Sequence, residues 1–208
     1  MHCTLLGLGL AALGPAVARA PQSPRRVLVV GDSLSAEYGL PRGRGWVELL
    51  AQRLRADRPG WEVVNASISG DTTAGGRSRL PALLRQHAPA VVVLELGGND
   101  ALRGLPLETS RANLVEMVRL GRAAGAAVLL VGMQVPPNYG RAYAEEFAGL
   151  FAKVARQEKV ALVPFLLAGV ADGPDPYALF QPDRIHPNEQ AQPRMLDNVW
   201  PALRTLLK

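Results

Sequence analysis

The chain has 208 residues, of which 48% are hydrophobic and 20% charged, a length that suits one domain and a composition that builds a full core instead of a disordered chain. Its formal charge of +5 is spread along the sequence, and with no basic run interleaved with aromatics there is no nucleic-acid surface to expect. Aromatics make up only 5%, so the core has to be mostly Leu, Val and Ala.

The first twenty residues, MHCTLLGLGLAALGPAVARA, differ from everything after them. Thr4 to Val17 is apolar and uncharged, and Ala18-Arg19-Ala20 fits a small-x-small cleavage site, although no Lys or Arg precedes the apolar stretch. The run is short for a bilayer span. We read residues 1–20 as a cleaved secretory signal, with a short buried helix as the alternative. Residues 21–208 then form one mature domain, periplasmic or secreted, with no integral membrane segment after cleavage. Cys3 is the sole cysteine, so a chain beginning near Pro21 has none. That excludes a thiol nucleophile, a disulfide frame and a Cys-based zinc site.

Five segments read as short buried strands: Arg26–Val30, Glu62–Asn65, Ala90–Leu96, Ala126–Gly132 and Val160–Phe165. Each is a run of Val, Leu or Ala with little alternation, as strands covered on both faces require. Helical stripes lie between them. The first is Trp46, Val47, Leu49, Leu50 and Leu54; the second Leu80, Leu83 and Leu84; the third Leu114, Val115 and Val118; the fourth Phe147, Leu150, Phe151 and Val154. Gly121 and Gly125 punctuate the end of the third helix. A last helix runs from about Asn188 to Leu207, with Pro193 and Pro201 expected to kink or interrupt it. Alternating strands and helices predict an α/β fold with a parallel sheet between two helical layers. Ligands of such folds bind beyond the carboxyl ends of the strands. The residues just after the first three strands are Gly31-Asp32-Ser33, Ala66-Ser67-Ile68-Ser69-Gly70-Asp71 and Gly97-Gly98-Asn99-Asp100.

A serine hydroxyl needs a base within reach, itself oriented by a third group. Signal cleavage leaves two histidines. His87 reads as a surface residue at a helix end. His186 lies in Pro182-Asp-Arg-Ile-His-Pro-Asn188, three residues after Asp183, a spacing that lets the carboxylate accept the imidazole Nδ1–H while Nε2 faces a serine. Alone, that pair reads by default as a solvated loop pair, and its meaning comes from the company it keeps. Acyl transfer also needs donors for an oxyanion: the Asn99 side chain, the Gly70 N–H and, if a helix begins there, the Ser33 N–H. For Gly70 and Gly97-Gly98 taken singly, plain turn chemistry is the better reading.

Taken in order, Gly31-Asp32-Ser33-Leu34, Gly70 in Asn65-Ala-Ser-Ile-Ser-Gly-Asp71, Gly97-Gly98-Asn99-Asp100 and Asp183-Arg-Ile-His186 resemble the blocks of the GDSL, or SGNH, hydrolases. Gly98-Asn-Asp-Ala-Leu-Arg-Gly104, Pro137-Asn-Tyr-Gly140 and His186-Pro-Asn-Glu-Gln-Ala-Gln-Pro193 are similar to the bacterial thioesterase I/lysophospholipase/arylesterase branch, and the resemblance covers the chain after Pro21. It implies a flavodoxin-like three-layer α/β/α sandwich with a five-stranded parallel sheet, and no metal or organic cofactor. It also implies periplasmic hydrolysis of esters and thioesters with apolar acyl groups. The expected partner is a small-molecule ester or thioester substrate, and the expected state is a monomer. Ser33, Asp183 and His186 are then the catalytic residues, and Ser33, Gly70 and Asn99 the oxyanion hole. Leu102, Val135 and Pro136, on the loops after the third and fourth strands, are expected to line an apolar groove for the acyl chain. A carbohydrate O-deacetylase on the same scaffold and a non-catalytic binding module remain as alternatives. No Gly-x-Ser-x-Gly elbow, dinucleotide fingerprint, Walker loop or His-Glu-x-x-His motif is present.

Overall fold

The computed structural model describes residues 24–175 and 177–208. The expected signal segment, residues 1–20, lies outside them. Five strands, β1 (Arg25–Gly31), β2 (Trp61–Asn65), β3 (Val91–Glu95), β4 (Ala127–Val131) and β5 (Ala161–Val163), form one sheet in the order β2-β1-β3-β4-β5. Every pairing is parallel. The adjacent interior strands β1 and β3 are wholly covered along their apolar runs: Val27–Val30 and Val91–Leu94 have no exposed surface. That burial explains why they read as unbroken hydrocarbon.

Helices α1 (Trp46–Asp57), α2 (Thr73–His87), α3 (Gly98–Leu102), α4 (Leu107–Ala123), α5 (Arg141–Glu158) and α6 (Gln192–Leu203) cover the sheet. α1 packs on α6, whereas α2 packs on α4 and α4 on α5, so two helical layers sandwich the strands. The apolar stripes point inward: Trp46, Leu50 and Leu54 from α1, Leu114 and Val118 from α4, and Phe147 and Phe151 from α5 are fully or almost fully buried. This is the expected three-layer architecture. Among the described residues no helix is long and apolar enough to cross a membrane.

Three details depart from the sequence reading. The five-residue α3 replaces part of an expected loop. Gly121 lies inside α4 and does not end it; a Cβ there stands 2.9 Å from Val128 Cγ2, so this glycine lets helix and sheet approach. The last helix is divided: a 3₁₀ turn at Glu189–Ala191 precedes α6. Pro193 falls in the first turn of α6, where its missing N–H breaks no bond, and the helix stops at Leu203, two residues past Pro201.

The chain runs from β1 outward to β2, then returns past β1 to β3. Connections therefore leave β1 and β3 in opposite directions, which opens a crevice beyond their carboxyl ends. Gly31 pairs with Glu95 at this point, and Ser33 and Asn99 follow just after.

Candidate active site

Beyond Gly31 the chain makes one tight turn. The Asp32 carbonyl accepts the N–H of Ala36 at 2.9 Å, the Ser33 carbonyl that of Tyr38 at 3.4 Å, and Asp32 Oδ1 accepts the N–H of Leu34 at 3.0 Å. The turn is braced from below. Ser35 Oγ donates to Glu95 Oε2 at 2.7 Å and accepts Trp46 Nε1–H at 3.2 Å, while Asn65 Nδ2 donates to the Ser35 carbonyl at 2.7 Å. A Cβ at Gly31 falls 2.8 Å from both Glu95 Oε2 and Ser35 Oγ, so only glycine leaves room for this bracing.

The second half of the site arrives 153 residues later. Asp183 Oδ1 accepts the N–H groups of Ile185 at 2.9 Å and His186 at 3.0 Å. Arg184 between them takes a left-handed conformation, φ +57. That fold-back brings Asp183 Oδ2 to 2.7 Å from His186 Nδ1. An ionised carboxylate only accepts, so Nδ1 carries the proton and Nε2 is the acceptor for the Ser33 hydroxyl, 2.9 Å away. Partial burial opposes ionisation of Asp183, but the N–H groups of His186 and Ile185 and the imidazole outweigh it and hold the carboxyl below its ordinary value. The Tyr38 ring lies against the imidazole, centroids 4.3 Å apart.

The remaining expected groups come from the loops after β2 and β3. Gly70 has φ +80. A Cβ there meets only Arg103, at 3.6 Å, so backbone conformation and not lack of space requires the glycine. Asn99 stands in the first turn of α3, which starts after Gly97 at φ +122. Its Nδ2 donates to Asp32 Oδ2 at 3.1 Å, which fixes the amide plane. The neighbouring Asp100 is buried and gathers three donors: Thr73 Oγ1 at 2.5 Å, Thr73 N at 2.9 Å and Ser110 Oγ at 3.0 Å. It ties α3, with Asn99, to the start of α2, just after Gly70.

Two buried acids beneath the site, Asp32 and Glu95, have no role that the sequence alone assigns. Burial raises the Asp32 carboxyl to about 6, against the Leu34 N–H, the Asn99 amide and the nearby His186, which favour the ion; Asp71 adds to the rise. Glu95, with no exposed surface, is pushed well above its ordinary value by burial and then by the charge of Asp32, despite the bonds from Ser35 and the Asp32 N–H. Its Oε1 is buried without a partner among the described residues, an arrangement that suits a neutral acid far better than a carboxylate.

The substrate-groove expectation needs correction at one position. Leu102 is 46% exposed and Pro136 is exposed, but Val135 is 8% exposed and packs in the core. An apolar residue just past a buried strand is still inside the protein here. His87, at the end of α2, is partly buried, and its carbonyl accepts Arg26 Nη1–H at 3.2 Å; it takes no part in the site.

Residues 29–193 match the GDSL-like lipase/acylhydrolase family. The chain is 55% identical over 181 residues to esterase TesA of Pseudomonas aeruginosa, covering 87% of this chain and 89% of that protein. It is 41% identical over 181 residues to thioesterase 1/protease 1/lysophospholipase L1 of Escherichia coli K12, covering 87% and 84%. A crystal structure of TesA superposes with a TM-score of 0.84 at 54% identity, covering 88% of this chain and 99% of that one. This chain therefore belongs to the GDSL-like lipase/acylhydrolase family and is a hydrolytic enzyme.

Proposed function

We propose that the protein hydrolyses carboxylic esters and thioesters with apolar acyl groups through an acyl-enzyme on Ser33. The observation that carries this reading is the unbroken relay Asp183–His186–Ser33, with contacts of 2.7 and 2.9 Å. His186 Nε2 takes the hydroxyl proton as Ser33 Oγ bonds to the acyl carbon. Asp183 stabilises the imidazolium that results. The carbonyl oxygen, now negative, is met by the N–H groups of Ser33 and Gly70 and by the Asn99 amide. Collapse breaks the bond to the leaving alcohol or thiol, which receives the proton from His186. Water then attacks the acyl-enzyme by the same route, restoring Ser33 and releasing the acid.

Apolar acyl groups fit the surroundings of Ser33. Of the large exposed hydrophobics among the described residues, Tyr38, Ile68, Leu102, Leu105 and Tyr139 lie on the segments that follow the carboxyl ends of β1 to β4, and Tyr177 and Ile185 on the segment after β5. The names of the relatives point the same way. We further propose that residues 1–20 are a cleaved signal, that the mature enzyme is periplasmic, and that it acts as a monomer; the apolar Thr4–Val17 run and its Ala-Arg-Ala site support the first two. A fluorophosphonate probe tests the chemistry: label on Ser33, abolished in Ser33→Ala together with nearly all turnover, is the expected result. Activity above about a tenth of wild type in Ser33→Ala refutes the assignment, because triad removals cost several orders of magnitude. Intact mass of periplasmic protein tests export, with a product starting near Pro21 expected and one retaining residues 1–20 refuting it.

A further inference from the structure

We propose that Gln181 is a positioning residue, a clip that sets the distance between His186 and Ser33; the proposal rests on the reading of His186 as the base for Ser33. The two residues stand on loops from opposite ends of the chain, and each loop is well braced internally. What joins one to the other is Gln181. Its Nε2 donates to the Tyr38 carbonyl at 2.9 Å, in the Ser33 turn, and to the Pro187 carbonyl at 3.1 Å, next to His186. Both acceptors are carbonyls, so the atom between them is the NH₂ group and both of its hydrogens are committed. Gln181 also donates its backbone N–H to the His186 carbonyl at 2.8 Å. Apart from His186 itself, no other side chain between residues 180 and 188 bonds to residues 32–39 among the described residues.

The Ser33 side of the contact is shaped to receive this amide. Gly39 has φ +69, and a Cβ there stands 2.0 Å from Gln181 Oε1, so a larger residue pushes the side chain away. Tyr38, whose carbonyl is held by the clip, presents its ring to the imidazole at 4.3 Å. The clip therefore fixes both the approach of Nε2 to Oγ and the surface the imidazole leans on. Asp183 belongs to the same loop as His186 and moves with it, so releasing Gln181 leaves the Asp183–His186 pair intact and loosens only the step to Ser33.

Gln181→Met keeps the shape of the side chain and removes both donors. Turnover is measured on p-nitrophenyl butyrate, normalised to active sites titrated with a fluorophosphonate, alongside the rate of that labelling and the melting temperature. Displacing reacting groups by about an ångström costs up to roughly 100-fold, so kcat per titrated site is expected to fall roughly 10- to 100-fold, the labelling rate to fall in parallel, and KM to change less than about twofold. A merely structural residue lowers the melting temperature and the number of titratable sites but leaves kcat per site unchanged, and that result overturns the proposal. Should Gln181→Met not fold, Gly39→Ala displaces Gln181 from the other side, and the same outcomes decide. Ser33→Ala run in parallel separates the two readings. An active Ser33→Ala overturns the relay itself, whereas a dead Ser33→Ala beside a fully active Gln181→Met overturns the clip alone.

Discussion

Asp32→Asn separates the two consequences of burying an acid behind Ser33. Burial raises this carboxyl from 3.8 to about 6 in the folded protein. The folded state thus keeps the proton to higher pH than the unfolded chain does. The associated stability is complete below about pH 4 and is lost as pH rises through about 6. At about 1.4 kcal/mol per tenfold change in proton affinity, ionised Asp32 costs the fold about 3 kcal/mol at neutral pH. Asparagine has nearly the same shape and no charge, and its carbonyl still accepts the Leu34 N–H that now bonds Oδ1 at 3.0 Å. Its NH₂, however, faces the Asn99 NH₂ across what was a 3.1 Å bond, a loss of about 1 kcal/mol. The expected balance is a gain of about 2 kcal/mol at pH 8, shrinking through pH 6 to a loss of about 1 kcal/mol at pH 4. Urea unfolding of wild type and variant across this range measures it. Turnover moves the other way, falling roughly tenfold as the Asn99 amide loses its anchor. A stability difference that is the same at pH 4 and pH 8 refutes the reasoning, because only a titrating group gives the difference a pH dependence.

Four further substitutions probe the rest of the site. Asn99→Ala should lower kcat by ~10²–10³ with KM little changed, as steady-state kinetics will show, because the donor acts on charge that develops only in the transition state. Asp100→Ala strands the Thr73 N–H and the Thr73 and Ser110 hydroxyls in a buried place; urea unfolding should show a loss of about 3 kcal/mol or more. Gly97→Ala forces φ +122 on a residue with a Cβ, which also meets Phe151 Cζ at 3.2 Å, and should cost roughly 1–3 kcal/mol in the same assay. Leu102 is 46% exposed above the site: kcat/KM should rise up to ~4-fold per methylene from acetyl to medium-chain p-nitrophenyl esters, and Leu102→Ala should flatten that rise, whereas a steady decline from acetyl onward favours a deacetylase.

The parts of this protein legible in its sequence are those whose meaning is local. Val27–Val30 and Val91–Leu94 announce buried parallel strands because both faces are covered, and the loops after them can be found by counting. The approach of Asp183 to His186 is equally local, closed within four residues by the left-handed Arg184. Five residues of α3 carry too little periodicity to register, and Gly121 looks like a helix stop because nothing in the sequence says that Val128 lies across from it. Val135 fails for a related reason: hydrophobicity marks a residue as apolar without telling core from groove. Glu95 is the sharpest case. In Val-Val-Val-Leu-Glu-Leu it reads as a lone polar residue near the end of a strand, and only the pairing of Gly31 with Glu95 sets its carboxyl beneath the Ser33 turn. The same holds for Asp32 with Asn99, 67 residues apart, and for Gln181 with Tyr38, 143 apart. Chemical groups announce themselves by type, but the bonds that aim them depend on which strand lies beside which, and that is decided by the sheet. Two chains with the same reactive residues can therefore differ widely in rate if their bracing differs, so variants at Glu95, Asp32 and Gln181 should alter turnover while every group in the relay remains in place.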